Sequence, residues 1–166
     1  FDILKNGIEN YNGVRRRFDI KENNSNIIVV DDYAHHPTEV KATIDAAISG
    51  WDKEIIVVFQ PHLFSRTRDF YKEFAESLYK SNFILITDIY PAREEPLKGI
   101  NSKLILDELK NLGHKNTFYI KDLSKLNQVL DEFNLDNHMV ITMGAGDIWR
   151  YNENYNNHLN EKASAQ

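Results

Sequence analysis

Ile27-Ile28-Val29-Val30-Asp31-Asp32-Tyr33-Ala34-His35-His36-Pro37-Thr38-Glu39-Val40 contains the whole fold in miniature. Its four β-branched apolar residues read as a strand covered on both faces. Polar residues end the run, and Pro37 suits the first turn of a helix, where its missing N–H is not needed. Val40, Ile44 and Ile48 then recur every four residues until Gly50, the spacing of one helix face with a stop. A strand that hands over to a helix in this way is half of a βαβ unit.

The same alternation continues along the chain. Strand-like runs stand at Ile55–Phe59, Phe83–Thr87, Thr117–Ile120 and Met139–Met143. Ser65 is expected to cap a helix carrying Phe70, Phe74 and Leu78 inward. Ser102 or Asn101 is expected to start another, with Ile105, Leu109 and Leu112 on one face and Gly113 as the stop. Asp122 is the expected cap of a fourth, with Leu123, Leu126, Leu130 and Phe133 inward. Ile148, Tyr155 and Leu159 mark a last one that frays toward Glu161–Gln166. Arg17–Ile20 is expected to pair with Ile27–Val30 across the polar turn Lys21–Asn26. The expected fold is therefore α/β: a Rossmann-like open sheet of about six strands, mostly parallel with one antiparallel edge strand, helices on both faces. Residues 1–166 read as a single domain. Phe1–Tyr11 reads as a short amphipathic helix that begins abruptly, as if cut from a longer chain.

Composition narrows the function. The chain has 166 residues, 42% hydrophobic and 27% charged, enough for one core without metal or disulfide staples. The absence of cysteine excludes thiol nucleophiles, cysteine-ligated zinc and iron–sulfur clusters. A net charge of −5 argues against a nucleic-acid partner. No apolar run approaches the roughly 18–20 residues that span a bilayer, and no signal segment opens the chain, so a cytoplasmic protein without membrane insertion is expected.

In an open parallel sheet, ligands bind beyond the carboxyl ends of the strands. The unusual residues collect there: Asp31–Pro37, Gln60–Arg68, Asp88–Pro96 and Gly144–Asp147, which together imply one composite polar pocket. Asp31 and Asp32 suit either a ligand or the cap of the following helix. His35 and His36 are adjacent and lack a third ligand, so no metal site is assigned. Arg66 and Arg68 stand at a helix start, a poor place for cations unless an anion binds between them and the helix. Of Arg15, Arg16 and Arg17, only one is credited with a ligand role, and Tyr90 and Glu94 are expected to be exposed. Gly144-Ala145-Gly146 lacks the third glycine of a dinucleotide fingerprint, and no GxxxxGK[ST] loop occurs.

Asp31-Asp32-Tyr33-Ala34-His35-His36-Pro37-Thr38-Glu39 resembles a signature of the Mur ligases, in particular those that add the first amino acid of the peptidoglycan stem peptide. Gly13–Phe18, Gln60-Pro61-His62, Phe64–Arg68, Tyr90–Glu94 and Gly144–Ile148 are similar to that family in order and spacing. The resemblance covers about Gly13 to Ile148 and implies the third, C-terminal domain of a three-domain enzyme. The N-terminal domain, which binds the UDP-sugar, and the central ATPase domain are absent from this chain. In that family, ATP phosphorylates the carboxylate of UDP-N-acetylmuramate, the amine of L-alanine attacks the acyl phosphate, and phosphate leaves.

The resemblance implies that Arg17 reaches ATP phosphates and that Asp32 holds the nucleotide through ribose hydroxyls. Tyr33, His35, His62 and Arg66 are implied as the amino-acid pocket, with Arg66 facing the alanine carboxylate. Leu63 stands where some relatives carry a basic residue. Mg2+ ligands are implied in the absent central domain, and the isolated domain is expected to be inactive. Replacing Arg17 or Asp32 by alanine is expected to spare the fold. Two alternatives stand beside this reading. One is a recycling ligase that attaches a whole peptide to UDP-N-acetylmuramate. The other is a phospho-acceptor receiver domain using Asp31, Asp32 and Asp88, which lacks its usual lysine here.

Overall fold

The computed structural model describes residues 5, 13–23, 26–133 and 137–164. Of the helix expected over Phe1–Tyr11, all but Lys5 lies outside the described residues. The elements are β1 (Asp19–Asn23), β2 (Ile27–Asp32), α1 (Pro37–Gly50), β3 (Glu54–Phe59), α2 (Phe64–Leu78), β4 (Phe83–Thr87) and α3 (Lys103–Asn111). They continue with β5 (Thr117–Ile120), a 3-10 turn (Leu123–Lys125) running into α4 (Leu126–Glu132), β6 (His138–Met143) and α5 (Trp149–Ser164). The six strands form one sheet in the order β1-β2-β6-β3-β4-β5. β1 runs antiparallel to β2, and every other pairing is parallel.

Side chains alternate along each strand, so the sheet has two packed faces. Val30, Val57, Ile84 and Ile141 meet α1, α2 and α3 through Val40, Ile44, Phe74, Leu78, Ile105 and Leu109. Val29, Ile56, Leu85 and Val140 meet α4 and α5 through Leu126, Leu130 and Tyr155, with Ile148 just ahead of α5. The near-continuous apolar runs follow from this double coverage.

Three sequence expectations shift. Pairing with β2 begins at Asp19 rather than Arg17, because Arg17 N–H bonds back to the Val14 carbonyl in a tight turn. A bulge between Ile20 and Glu22 then re-registers the strand. Ser65 lies inside α2 and does not cap it; Leu63 holds the cap position at φ +72°. Leu112 closes α3 with its side chain 40% exposed, beyond the buried face of Ile105 and Leu109. Gly113 follows it at φ +89°, the left-handed stop that glycine adopts without a Cβ penalty.

Candidate active site

Asp31 and Asp32 end β2 and point to opposite faces of the sheet. Asp32 is 7% exposed, and both of its oxygens accept backbone N–H groups: Oδ2 from Phe18 at 2.8 Å and Oδ1 from Ala34 at 2.7 Å. Asp31 is 2% exposed, beside the Arg16 Nε at 3.4 Å and accepting from the Thr142 hydroxyl at 3.1 Å. Burial pushes the Asp31 carboxyl up, against the pull of Arg16 and Thr142. Neither aspartate caps α1. His36 does so, its Nδ1 accepting from Thr38 N–H at 3.4 Å.

The sequence credited Arg17 with a role among the three arginines, and the structure gives the architectural one to Arg16. The Arg16 Nη2 donates to the Gly144 carbonyl at 2.7 Å, and its guanidinium lies 4.8 Å over the Tyr33 ring. Gly144 N–H in turn donates to the Asp32 carbonyl at 3.1 Å. Arg16 thus clamps the loop after β2 to the loop after β6. Arg17 is exposed, and its guanidinium makes no hydrogen bond or ion pair among the described residues.

A second group of side chains gathers where α1 and α2 begin. The His35 and His62 rings lie edge to face, their centroids 5.9 Å apart. His62 stacks on Tyr90 at 5.8 Å, and Tyr33 meets His35 edge-on at 5.2 Å. The Arg66 Nη1 lies 3.4 Å from the His35 carbonyl and 3.5 Å from the His62 Nδ1. Tyr33, His35, His62 and Arg66, proposed together from sequence, are therefore neighbours in space. Burial lowers the His62 pKa, and the Arg66 and His35 charges add to the effect. Arg68 pairs with the adjacent Asp69 at 2.7 Å, which leaves Arg66 as the arginine at the start of α2 that joins the histidines.

The loop after β4 is largely exposed, but Tyr90 and Glu94 are not. Tyr90 is half-buried; its N–H donates to the Pro61 carbonyl at 2.8 Å, and its carbonyl accepts from Leu63 at 3.0 Å. Glu94 supplies the cap that Leu63 cannot, accepting Ser65 N–H at 3.0 Å and the Ser65 hydroxyl. These bonds hold the Glu94 carboxyl below its ordinary range. The glycine loop is used for close packing. A Cβ on Gly146 would sit 2.3 Å from the Gln60 Oε1 and 2.5 Å from the Tyr90 ring. Gln60 is fixed there by Asp147 at 2.8 Å and Ile148 N–H at 3.2 Å.

Hydrogen bonds tie the four strand-end loops together, Gly144 to Asp32, Gln60 to Asp147 and Tyr90 to Pro61. A cavity of about 400 Å³ opens on the α5 side, lined by Arg15, Arg16, Lys21, Asp31, Trp149 and Glu153, and the histidine–arginine group lies outside it. Among the described residues, no three His, Asp or Glu side chains gather closely enough to hold a metal ion.

An open parallel sheet with an antiparallel edge presents histidine, arginine and tyrosine beyond its carboxyl ends, and comparison with known proteins supplies the class. The chain belongs to the Mur ligase family: residues 16–146 match the Mur ligase, glutamate ligase domain. It is 47% identical over 146 residues to the UDP-N-acetylmuramate–L-alanine ligase of Pelodictyon phaeoclathratiforme, across 86% of this chain and 30% of that protein. To the enzyme of the same name from Geotalea uraniireducens it is 41% identical, across 92% of this chain and 33% of that one. The solved UDP-N-acetylmuramate–alanine ligase of Thermotoga maritima matches with a TM-score of 0.76 and 28% identity, across all of this chain and 36% of that one. A domain of a UDP-N-acetylmuramate:L-alanyl-γ-D-glutamyl-meso-diaminopimelate ligase from Haemophilus ducreyi matches with a TM-score of 0.62 and 26% identity, across 86% of this chain and 99% of that one. The chain spans about a third of the length of the curated relatives it matches. Family membership removes the receiver-domain alternative, and Asp88 is bonded to the Tyr119 hydroxyl.

Proposed function

We propose that this chain is the C-terminal domain of an ATP-dependent ligase that joins L-alanine to UDP-N-acetylmuramate. The observation that carries the proposal is the cluster of His35, His62 and Arg66 at the helix starts, in a chain whose curated relatives bear that name. Arg66 is the fixed guanidinium for the alanine carboxylate, a charge-assisted pairing of the strong kind. Arg17 offers an exposed guanidinium to ATP phosphates. Asp32 keeps lone pairs beyond its two backbone bonds, which suit ribose hydroxyls. UDP-sugar binding and Mg2+ belong to the N-terminal and central domains outside this chain. The cytoplasm, where ATP is available, is the compartment this reading requires; no helix among the described residues is long and apolar enough to cross a membrane.

The test uses the full-length ligase. Arg66→Ala removes a charged hydrogen-bond partner worth about 1.5–3 kcal/mol, so KM for alanine rises roughly 10- to 150-fold while KM for ATP holds. An unchanged alanine KM overturns the pocket assignment. The 166-residue chain alone, lacking a phosphate-binding loop, shows no alanine-dependent ATP hydrolysis; turnover by it would refute the division of labour. The likeness to the Haemophilus ducreyi domain keeps one second reading, a ligase that attaches a peptide. Faster turnover with a tripeptide than with alanine would establish it.

A further inference from the structure

His35 and His62 touch, yet their surroundings hold them in opposite tautomers. Around the His35 Nδ1 stand two acceptors, the Tyr33 carbonyl at 2.9 Å and the Glu39 Oε2 at 3.3 Å. A ring nitrogen that faces only acceptors carries the proton, which leaves the lone pair on Nε2. The His62 Nδ1 instead faces the Arg66 Nη1 at 3.5 Å, and a guanidinium has no acceptor to offer. The neutral His62 ring therefore bears its proton on Nε2. Burial and the Arg66 charge lower the His62 pKa.

Glu39 is the residue that sequence reading passed over. Its Oε2 accepts the backbone N–H groups of both His35 and His36, at 3.0 and 3.1 Å, while touching the His35 ring. Burial raises its carboxyl pKa, but the backbone N–H groups of His35 and His36 and the charge of Arg17 outweigh burial and lower it. The groups that face His35 are therefore Tyr33, Glu39, His62 and Arg66, with Arg17 acting on Glu39.

We propose that Glu39 is a positioning residue that fixes His35 with its Nε2 lone pair free to take the proton of a substrate ammonium. The proposal rests on the amino-acid pocket described above. In the step itself, one N–H bond of the ammonium breaks and its electron pair stays on nitrogen as the attacking lone pair. The proton bonds to the His35 Nε2, and the imidazolium so formed is balanced by the Glu39 carboxylate. Arg66 is the donor matched to the carboxylate end of the same molecule.

Long-range proton–nitrogen NMR of the histidine rings reads the tautomers in the 166-residue chain without any turnover. The expected result is Nδ1–H for His35 and Nε2–H for His62. Glu39→Gln keeps an oxygen for the backbone N–H groups but loses the charge, so the Nδ1–H tautomer of His35 loses population in that variant while the amide spectrum is preserved. An Nε2–H tautomer for His35 in the parent, or an unchanged tautomer population in E39Q, overturns the proposal. In the full-length ligase, E39Q lowers kcat for alanine addition while KM for ATP holds; a role confined to helix capping moves Tm and leaves kcat in place. If the tautomers are as stated but Arg66→Ala leaves the alanine KM unchanged, the pocket reading has failed, and the substrate role of His35 falls with it.

Discussion

The Asp32 carboxylate gives one oxygen to the backbone of Phe18 and the other to that of Ala34, so it ties the lead-in to β1 to the loop before α1. Sequence reading expected alanine replacement here to spare the fold; the structure revises that. Asp32→Ala leaves two donors without acceptors, at about 1–3 kcal/mol each, and urea denaturation should show a clear loss of stability. Arg17→Ala, at an exposed side chain, should stay within about 0.5 kcal/mol of the parent in the same measurement. Glu39 adds a pH signature. Its pKa is depressed in the folded chain, so its contribution is present above the ordinary value of 4.5 and is lost as pH falls through the lower folded value. The Tm gap between the parent and Glu39→Gln should therefore be widest near neutrality and close in acid. A gap independent of pH would contradict the charge role. Asp32 and the histidines were legible as site residues because their types are unusual at a strand end. Arg16 and Glu39 were not, because nothing in the spacing tells which arginine of three faces inward or which cap an acid serves.

Among the elements, α2 has the least self-sufficient start. Leu63 sits at its cap with a positive φ and no side-chain acceptor, and the acceptor for Ser65 N–H comes from Glu94, twenty-nine residues after Ser65. Glu94→Ala should lower stability by about 1 kcal/mol, the usual worth of a cap. It should also speed hydrogen exchange at Ser65 and in the Tyr90–Glu94 loop, with no change in the far strands. Sequence located the strands well because double burial makes them continuous apolar runs, and it located α1 to the residue because Pro37 and Gly50 mark both ends. It misassigned the α2 cap because a serine in the right place looks like a local cap. A carboxylate supplied from another loop leaves no local pattern. The shift of β1 has a similar cause, since the turn closed by Arg17 onto Val14 is a hydrogen bond between backbones that many sequences can make.

For the molecule as a whole, the decisive fact is that β6 lies between β2 and β3. Sequence indicated six strands and one antiparallel edge but carried no order, because apolar runs of similar composition do not name their neighbours. The order accounts for the site: Gly144–Asp147 enters between the loops that follow β2 and β3, where Arg16 and Gln60 receive it. Deleting His138–Ser164 removes the strand that joins the two parts of the sheet, together with the helix that covers one face. The truncated chain should show no cooperative thermal transition by circular dichroism. A cooperative melt in that fragment would mean that β3–β4–β5 and its helices are stable without β6.

The central position of β6 also sets a timetable for synthesis. β2 and β3 are not paired with each other, and both wait for a strand encoded about 110 and about 85 residues later, respectively. Until residue 143 has been made, the nascent chain carries two open strand edges of nearly pure Ile, Val and Phe, the kind of surface that chaperones hold and aggregates recruit. The loops that form the site come together only when that gap is filled, so a chain without β6 in place has nothing to bind with.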